Sequence, residues 1–260
     1  MKPIKTVSAI LKSADGRFLM QLRDDNPKIQ YRGCWTNFGG YIEPGESPEQ
    51  CMRRELEEEI GFKAGEVKLW KVLPWENYLV HIFEVPIDKS IEELHLTEGA
   101  DMRFFTKEEI LDTNLAFCFS EVYISYFDER AEIRGVAAII RAKDGRILLQ
   151  RRDDIPTIPC PGMWTLFGGA LEPGEPPEDG LKRELTEELE FAPKESRLWT
   201  VKMIAGYLAY LFEVELDKDI TQLRLHEGID MGLFTKQQID EITLAFKYNP
   251  VLEEYFKEKK

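Results

Sequence analysis

Cysteine is scarce: Cys34, Cys51, Cys118 and Cys160 are the only four in 260 residues, and no two form a C-x-x-C pair. That spacing argues against a zinc ribbon or a disulfide scaffold and suits a reducing cytoplasm. The three histidines, His81, His95 and His226, lack metal-ligand spacing, and none is assigned a role. No run approaches the 18 or so apolar residues that a membrane span needs, and the start "MKPIKTVSAILKSADG" does not read as a signal peptide. No membrane partner is expected. Positive charge is also short: 34 basic residues face 48 acidic ones, a formal net charge of -14. Duplex nucleic acid needs many phosphate-neutralising cations, so it is disfavoured as a partner. A small phosphate-bearing ligand remains compatible if metal ions mediate. The 43% hydrophobic content is enough to build a core.

What the chain does have, it has twice. Trp35 and Trp164 stand 164 − 35 = 129 positions apart, and Phe38 and Phe167 share that offset. "GRFLMQLRDD" answers "GRILLQRRDD", and "TKEEILDTNLAF" answers "TKQQIDEITLAF". So long a period is a domain duplication rather than a solenoid. The expected domains are residues 1–129 and 130–260, with only "DERAE" (128–132) free to link them. Such a short link predicts two like domains held close, as a pseudo-dimeric pair. Within each unit, Asp-Gly between apolar runs signals a hairpin. "YLVHIFEVPI" and "YLAYLFEVEL" read as buried strands, "TKEE" (106–109) starts a short capped helix, and final helices begin near Ser120 and Asn249.

"RRELEEEIG" (53–61) sets like charges against one another on a well-punctuated helix. Ser47 can cap it, Pro48 suits its first position, Gln50 completes a capping box, and Gly61 fits the left-handed residue past its end. Met52, Leu56 and Ile60 recur at i, i+4, i+8 as a core stripe. At 100° per residue, Glu55, Glu58 and Glu59 fall in one sector beside that stripe, while Glu57 points to solvent. The second unit repeats this with Leu181, Leu185 and Leu189 beside Glu184, Glu187 and Glu188. A plain acidic face is the bland explanation. The other is a hard divalent cation, which takes several oxygen ligands and keeps sites for substrate phosphate.

The surrounding residues favour the cation. "GYIEPGESPEQCMRRELEEEIGF" (40–62) resembles the Nudix box, G-x5-E-x7-R-E-U-x-E-E-x-G-U. Gly40, Glu46, Arg54, Glu55, Leu56, Glu58, Glu59, Gly61 and Phe62 fill every specified position. The second copy, from Gly169 to Phe191, departs once: Glu190 stands where the glycine belongs. The resemblance implies an α+β chain of two Nudix-type α/β/α sandwiches, each around a mixed β-sheet. It further implies magnesium-dependent hydrolysis of a nucleoside diphosphate linked to another group, with manganese as a substitute.

By that resemblance the metal ligands are Glu55, Glu58 and Glu59, and Glu184, Glu187 and Glu188. Arg54 and Arg183 orient a neighbouring glutamate, and Glu46 and Glu175 support loop and helix. The general base is either a box glutamate, Glu58 or Glu187, or a loop glutamate, Glu98 in "TEGAD" or Glu227 in "HEGID". Arg23 and Arg152 are expected to reach a substrate phosphate, or else to pair with the aspartates that follow them. Gly40 and Gly169, which open the boxes, are taken as substrate-side positions. Trp35 and Trp164 read as packing residues rather than base-stacking platforms, with the second role left open, and Tyr78 and Tyr207 as packing residues or as the tyrosine placed as in dinucleoside polyphosphate relatives. Glu190 implies either a strained left-handed residue, at about 1–2 kcal/mol, or a rearranged helix end. Alternatives are a catalytically silent nucleotide sensor or scaffold, and one active domain beside a degenerate one.

Overall fold

The computed structural model describes residues 3–131 and 133–259. Its contacts divide the chain into two compact units, Met1–Tyr126 and Phe127–Lys260. In the first, β1 (Ile4–Ser13) and β2 (Phe18–Leu22) form the expected Asp-Gly hairpin, with Leu11 opposite Leu19. Gly16 takes the positive φ (86°) that the turn requires. A short β3 (Trp35–Thr36), helix α1 (Pro48–Ile60), β4 (Lys68–Trp75) and β5 (Tyr78–Ile87) follow. Then come β6 (Asp101–Phe105), α2 (Lys107–Leu111) and α3 (Phe119–Asp128). The sheet runs β3-β2-β1-β5-β4, with β6 also paired to β2. Its central β1–β5 pair is parallel and the others are antiparallel, so the sheet is mixed. Helices α1 and α3 cover its two faces, which makes an α/β/α sandwich.

Helix α1 starts where its capping residues put it. Ser47 accepts from the Gln50 backbone N–H, and the Gln50 side chain accepts from the Ser47 N–H. Gly61 ends it at φ 66°. Met52, Leu56 and Ile60 are fully buried, packed with Val7, Ala9, Leu11 and Phe38 on one face of the sheet. Burial of a side chain such as Leu56 contributes about 1.5–3 kcal/mol, which fixes the rotation of the helix and hence where its acidic face points.

The second unit repeats the order: β7 (Arg134–Arg141), β8 (Ile147–Arg151), β9 (Trp164–Thr165), α4 (Pro177–Leu189), β10 (Ser196–Ile204) and β11 (Tyr207–Glu215). It closes with β12 (Asp230–Phe234), α5 (Lys236–Asp240) and α6 (Tyr248–Glu258). Its β7–β11 pair is again parallel. The link differs from expectation. Asp128 is the last residue of α3, not the first of a free tether, and its carboxylate accepts from Arg134 Nε and Tyr210 OH, both at 2.5 Å. Glu132 lies outside the described residues. Among the described residues no helix is long and apolar enough to cross a membrane.

Candidate active site

The three box glutamates of α1 sit at three depths. Glu59 is 6% exposed, the Glu55 side chain 14% and the Glu58 side chain 61%. Glu57, as expected, faces outward and pairs with Lys63. At the bottom, Glu59 Oε2 accepts the Gly39 backbone N–H at 2.9 Å, and Oε1 accepts Gln21 Nε2 at 3.3 Å. Gly39 can aim its N–H there because it has no side chain. At its φ of 144° a Cβ would stand 2.2 Å from the Val7 carbonyl oxygen of β1. Burial pushes the Glu59 carboxyl up to about 8, against the pull of those two neutral donors. Glu188 repeats the arrangement, with Gly168 N–H and Gln150 Nε2 both at 2.8 Å and its carboxyl likewise raised by burial to about 8.

Arg54 organises the upper level. Its Nε and Nη2 grip both oxygens of Glu46 at 3.0 and 3.1 Å, while Nη1 reaches Glu55 at 2.8 Å and Glu58 at 3.0 Å. These hydrogen bonds hold the Glu46 carboxyl down at about 2, and they raise the guanidinium in turn. Burial raises Glu55 in spite of Arg54 beside it. Arg183 makes the same set with Glu175, Glu184 and Glu187. Gly40 faces Glu55 so closely that a Cβ there would lie 2.4–2.6 Å from the carboxylate atoms, and Gly169 stands likewise against Glu184.

The loop glutamates join from the far side. Thr97 Oγ1 donates to the Glu58 carbonyl at 2.6 Å, and Thr97 N–H donates to the Glu59 carbonyl at 2.9 Å. The "TEGAD" loop is thereby fastened to the end of α1, and Glu98 lines the same cavity as Glu55 and Glu59. That cavity, of about 780 Å3, also reaches Arg23 and Gly40. Arg23 does not turn back to the aspartates that follow it. Its Nε donates to the Gln30 carbonyl at 3.1 Å and its guanidinium lies 5.0 Å over the Phe117 ring; Arg152 sits the same way on Pro159 and Phe246. Phe117 and Phe246 hold positive φ, 59° and 54°, a backbone state that costs a bulky residue about 1–2 kcal/mol.

Several sequence readings change here. The carboxylates share a sector but not a point: among the described residues no three acidic, histidine or cysteine side chains already stand as a metal-holding group. Arg54 and Arg183 separate them. Trp35 and Trp164 pack edge-on to Phe105 and Phe234, the packing role expected. The Asn249 side chain bonds the backbone of Ile239, Ile242 and Leu244. Glu190 takes the strained alternative, at φ 50°, and the helix end stays intact, its N–H reaching the Leu185 and Thr186 carbonyls. His226 acquires a contact that the sequence did not suggest, with Nε2 2.9 Å from Glu190 Oε1. Gln21, Gln150, Phe117 and Phe246 were missed altogether. A glutamine inside the apolar run "FLMQL" is the one signal that pointed to the first of them.

The donor chemistry fits a magnesium ion. Glu55, Glu58 and Glu59 offer hard anionic oxygens, Glu59 is buried against neutral donors only, and the missing Cβ of Gly40 leaves room at Glu55. Two mixed-sheet α/β/α domains, each with an acidic helix under a Gly-Gly strand end, define the class. The NUDIX domain family model matches residues 2–124 and again 131–255. The chain therefore belongs to the Nudix family and carries two tandem domains.

Among relatives, the NAD-capped RNA hydrolase NUDT12 of Homo sapiens is 36% identical over 83 residues, 31% of this chain and 18% of that protein. The CTP pyrophosphohydrolase of Escherichia coli is 41% identical over 64 residues, 25% of this chain and 45% of that one. The nucleoside triphosphatase NudI of Escherichia fergusonii is 37% identical over 71 residues, 27% and 48% respectively. The matched stretch thus spans less than a fifth of NUDT12 and under half of the other two. A solved MutT protein from Methanosarcina mazei Go1 is 23% identical at a TM-score of 0.41, covering 50% of this chain and 96% of its own.

Proposed function

We infer that this chain is a magnesium-dependent pyrophosphohydrolase that cleaves a nucleoside diphosphate linked to another group and releases a nucleoside monophosphate. The observation that carries this reading is the repeated pairing of Glu59 with Gly39 and Glu188 with Gly168, each a buried carboxylate held by neutral donors at the base of the acidic helix. The named relatives act on NAD-capped RNA, CTP and nucleoside triphosphates. Those ligands share a phosphoanhydride next to a nucleoside, and that bond is the substrate class proposed here.

Glu55, Glu58 and Glu59 would hold the metal in the first domain, and Glu184, Glu187 and Glu188 in the second. When bound, magnesium or manganese supplies charge neutralisation at the diphosphate oxygens and Lewis-acid activation of water. The chain's own groups do the rest. Arg23 and Arg152 bind a phosphate, their planes fixed on Phe117 and Phe246. Arg54 and Arg183 position Glu58 and Glu187. A carboxylate oxygen of Glu58 or Glu98, and of Glu187 or Glu227, takes the proton of the attacking water. A reducing cytosol is the compartment proposed, and four cysteines without a disulfide suit it.

A phosphate-release panel with magnesium tests the proposal, using nucleoside triphosphates, dinucleotides and sugar nucleotides on the parent, Glu58→Gln, Glu187→Gln and the double variant. The parent should turn over at least one substrate and the double variant none. Unchanged turnover in the double variant defeats the assignment, and nucleotide binding without cleavage across the panel replaces it with a sensor.

A further inference from the structure

The two sites share one half and differ in the other. Around the phosphate end every charged position recurs at the offset of 129: Arg23 and Arg152, Glu55 and Glu184, Glu59 and Glu188, Glu98 and Glu227. Beyond it, the cavity of the first domain is lined by Tyr41, Trp75, Tyr78 and Phe117. Trp75 and Tyr78 lie near-parallel, with centroids 5.8 Å apart at 22°, and Phe117 meets Trp75 edge-on at 5.6 Å. The cavity also reaches two buried polar side chains. Asn37 Nδ2 donates to Ser8 Oγ at 3.1 Å, and Tyr123 OH donates to Asn37 Oδ1 at 2.8 Å. Aromatic faces and hydrogen-bonding groups lining one cavity suit a flat heteroaromatic ring with polar edges.

The second domain keeps two of those aromatics, as Tyr207 and Phe246, and replaces most of the rest. Ser8, Asn37 and Tyr123 become Ala137, Leu166 and Leu252, and Tyr41 and Trp75 become Ala170 and Ile204. Two further changes work together. Thr6 becomes Gly135, and Tyr207 then lies so close to β7 that a Cβ at Gly135 would stand 3.1 Å from its ring. Phe119 becomes Tyr248, whose hydroxyl lies 2.9 Å from that of Tyr207. Tyr78 cannot form this hydroxyl pair because Phe119 has no hydroxyl, and the Cβ of Thr6 would crowd its ring in the same place. In the first domain Tyr78 and Phe119 line the cavity and Tyr78 hydrogen-bonds with Tyr41; in the second, where Ala170 stands for Tyr41, Tyr207 is tied to Tyr248 instead.

The geometry points to two unequal sites. The first holds the nucleobase of its nucleotide against the Trp75–Tyr78–Phe117 aromatic group, in the cavity that Asn37 and Ser8 also line. The second holds the diphosphate end alone, its base end closed by the Tyr207–Tyr248 hydroxyl pair. This inference rests on the phosphoanhydride reading above, and it names the part of the ligand that each site recognises.

Calorimetry on the full chain with magnesium tests it. The probes are methylenediphosphonate and the α,β-methylene diphosphates of adenosine, guanosine, cytidine and uridine. The parent should bind two methylenediphosphonates per chain with similar affinity. With at least one nucleotide it should show one tight site and a second at least tenfold weaker. Trp75→Ile should remove the tight nucleotide step while leaving both diphosphonate steps, which also report that the domain is folded. Gly135→Thr combined with Tyr248→Phe, and Tyr248→Phe alone, should strengthen the weak step. Two equally tight nucleotide sites in the parent overturn the inference and leave the pyrophosphohydrolase reading standing. So do two diphosphonate sites with no gain in affinity from any base. Absence of binding by every probe overturns both.

Discussion

Adjacent glycines in the first domain predict opposite failures. Gly40→Ala places a Cβ 2.4–2.6 Å from the Glu55 carboxylate atoms, the far end of a flexible side chain. Glu55 can swing away at about 0.5–1.5 kcal/mol if it leaves its rotamer, and the entropic gain of Gly→Ala returns about 0.4–1 kcal/mol. The fold should tolerate the change. The site should not, since Glu55 must leave the Arg54 contact at 2.8 Å, and a misplacement near 1 Å costs about 100-fold in rate. Gly39→Ala meets backbone instead, with Val7 O at 2.2 Å and Val7 C at 2.9 Å, at a φ of 144°. That strain alone is worth about 1–3 kcal/mol. Relief means parting β1 from the segment that supplies its Ala9–Phe38 and Val7–Gly40 hydrogen bonds, both 2.9 Å. In a Glu187→Gln background, Gly40→Ala should melt within a few degrees of its parent and lose about two orders of magnitude in kcat. Gly39→Ala should lose the first domain's cooperative transition. If Gly40→Ala retains kcat within threefold, Glu55 is not needed where it stands. If Gly39→Ala melts like its parent, the steric account of the Gly-Gly pair is wrong.

Two further expectations concern stability in the second domain. Glu190→Gly removes a left-handed non-glycine residue worth about 1–2 kcal/mol and forfeits only exposed contacts with His226 and Arg224, each worth about 0–1 kcal/mol. The variant should gain roughly 1 kcal/mol in urea unfolding, and a loss would show that the His226 and Arg224 contacts dominate. Glu213 tests pH dependence. Burial alone would raise its carboxyl, but hydrogen bonds from Lys259, Tyr255 and Arg197 reverse this and hold it at about 2. A depressed carboxylate contributes stability above its unfolded pKa of 4.5, and the contribution is lost as pH falls toward about 2. With the side chain 19% exposed and partly screened, Glu213→Gln should lose about 2 kcal/mol at pH 7 and progressively less between pH 5 and pH 2. A penalty independent of pH would refute the ionic origin.

The sequence announced what repeats locally. The α1 cap, its Met52–Leu56–Ile60 stripe, the Asp-Gly hairpin and the Thr106 capping box depend on residues close to one another in the chain, and each stands where the pattern put it. The duplication was legible for the same reason. Depth was not. A helical wheel gives Glu55, Glu58 and Glu59 one direction, whereas the buried setting of Glu59 depends on Gly39 and Gln21, 20 and 38 residues away along the chain. The Arg23–Phe117 contact was hidden likewise, because nothing in "NLAF" reveals a left-handed phenylalanine. The role of Asp128 depended on Tyr210, 82 residues further on.

Glu59 and Glu188 show why such long-range placement bears on function. A carboxyl raised from 4.5 to about 8 is more stably folded when protonated. Its contribution is therefore fully present below the unfolded pKa of 4.5 and is lost as pH rises through about 8. At about 1.4 kcal/mol per unit, that loss is on the order of 5 kcal/mol for each buried group. A glutamine would keep an acceptor for the Gly39 N–H, and rotation of the Gln21 amide would match its other end, so the fold itself has no need of the charge. Glu59→Gln, and equally Glu188→Gln, should therefore stabilise chelator-treated protein by several kcal/mol at pH 9 and by little at pH 5. With millimolar magnesium the order at pH 9 should shrink or invert, because only the glutamate form gains a counter-charge. If Glu59→Gln is no more stable than its parent at pH 9 in chelator, the site holds its carboxylate without strain, and the electrostatic case for a cation there fails.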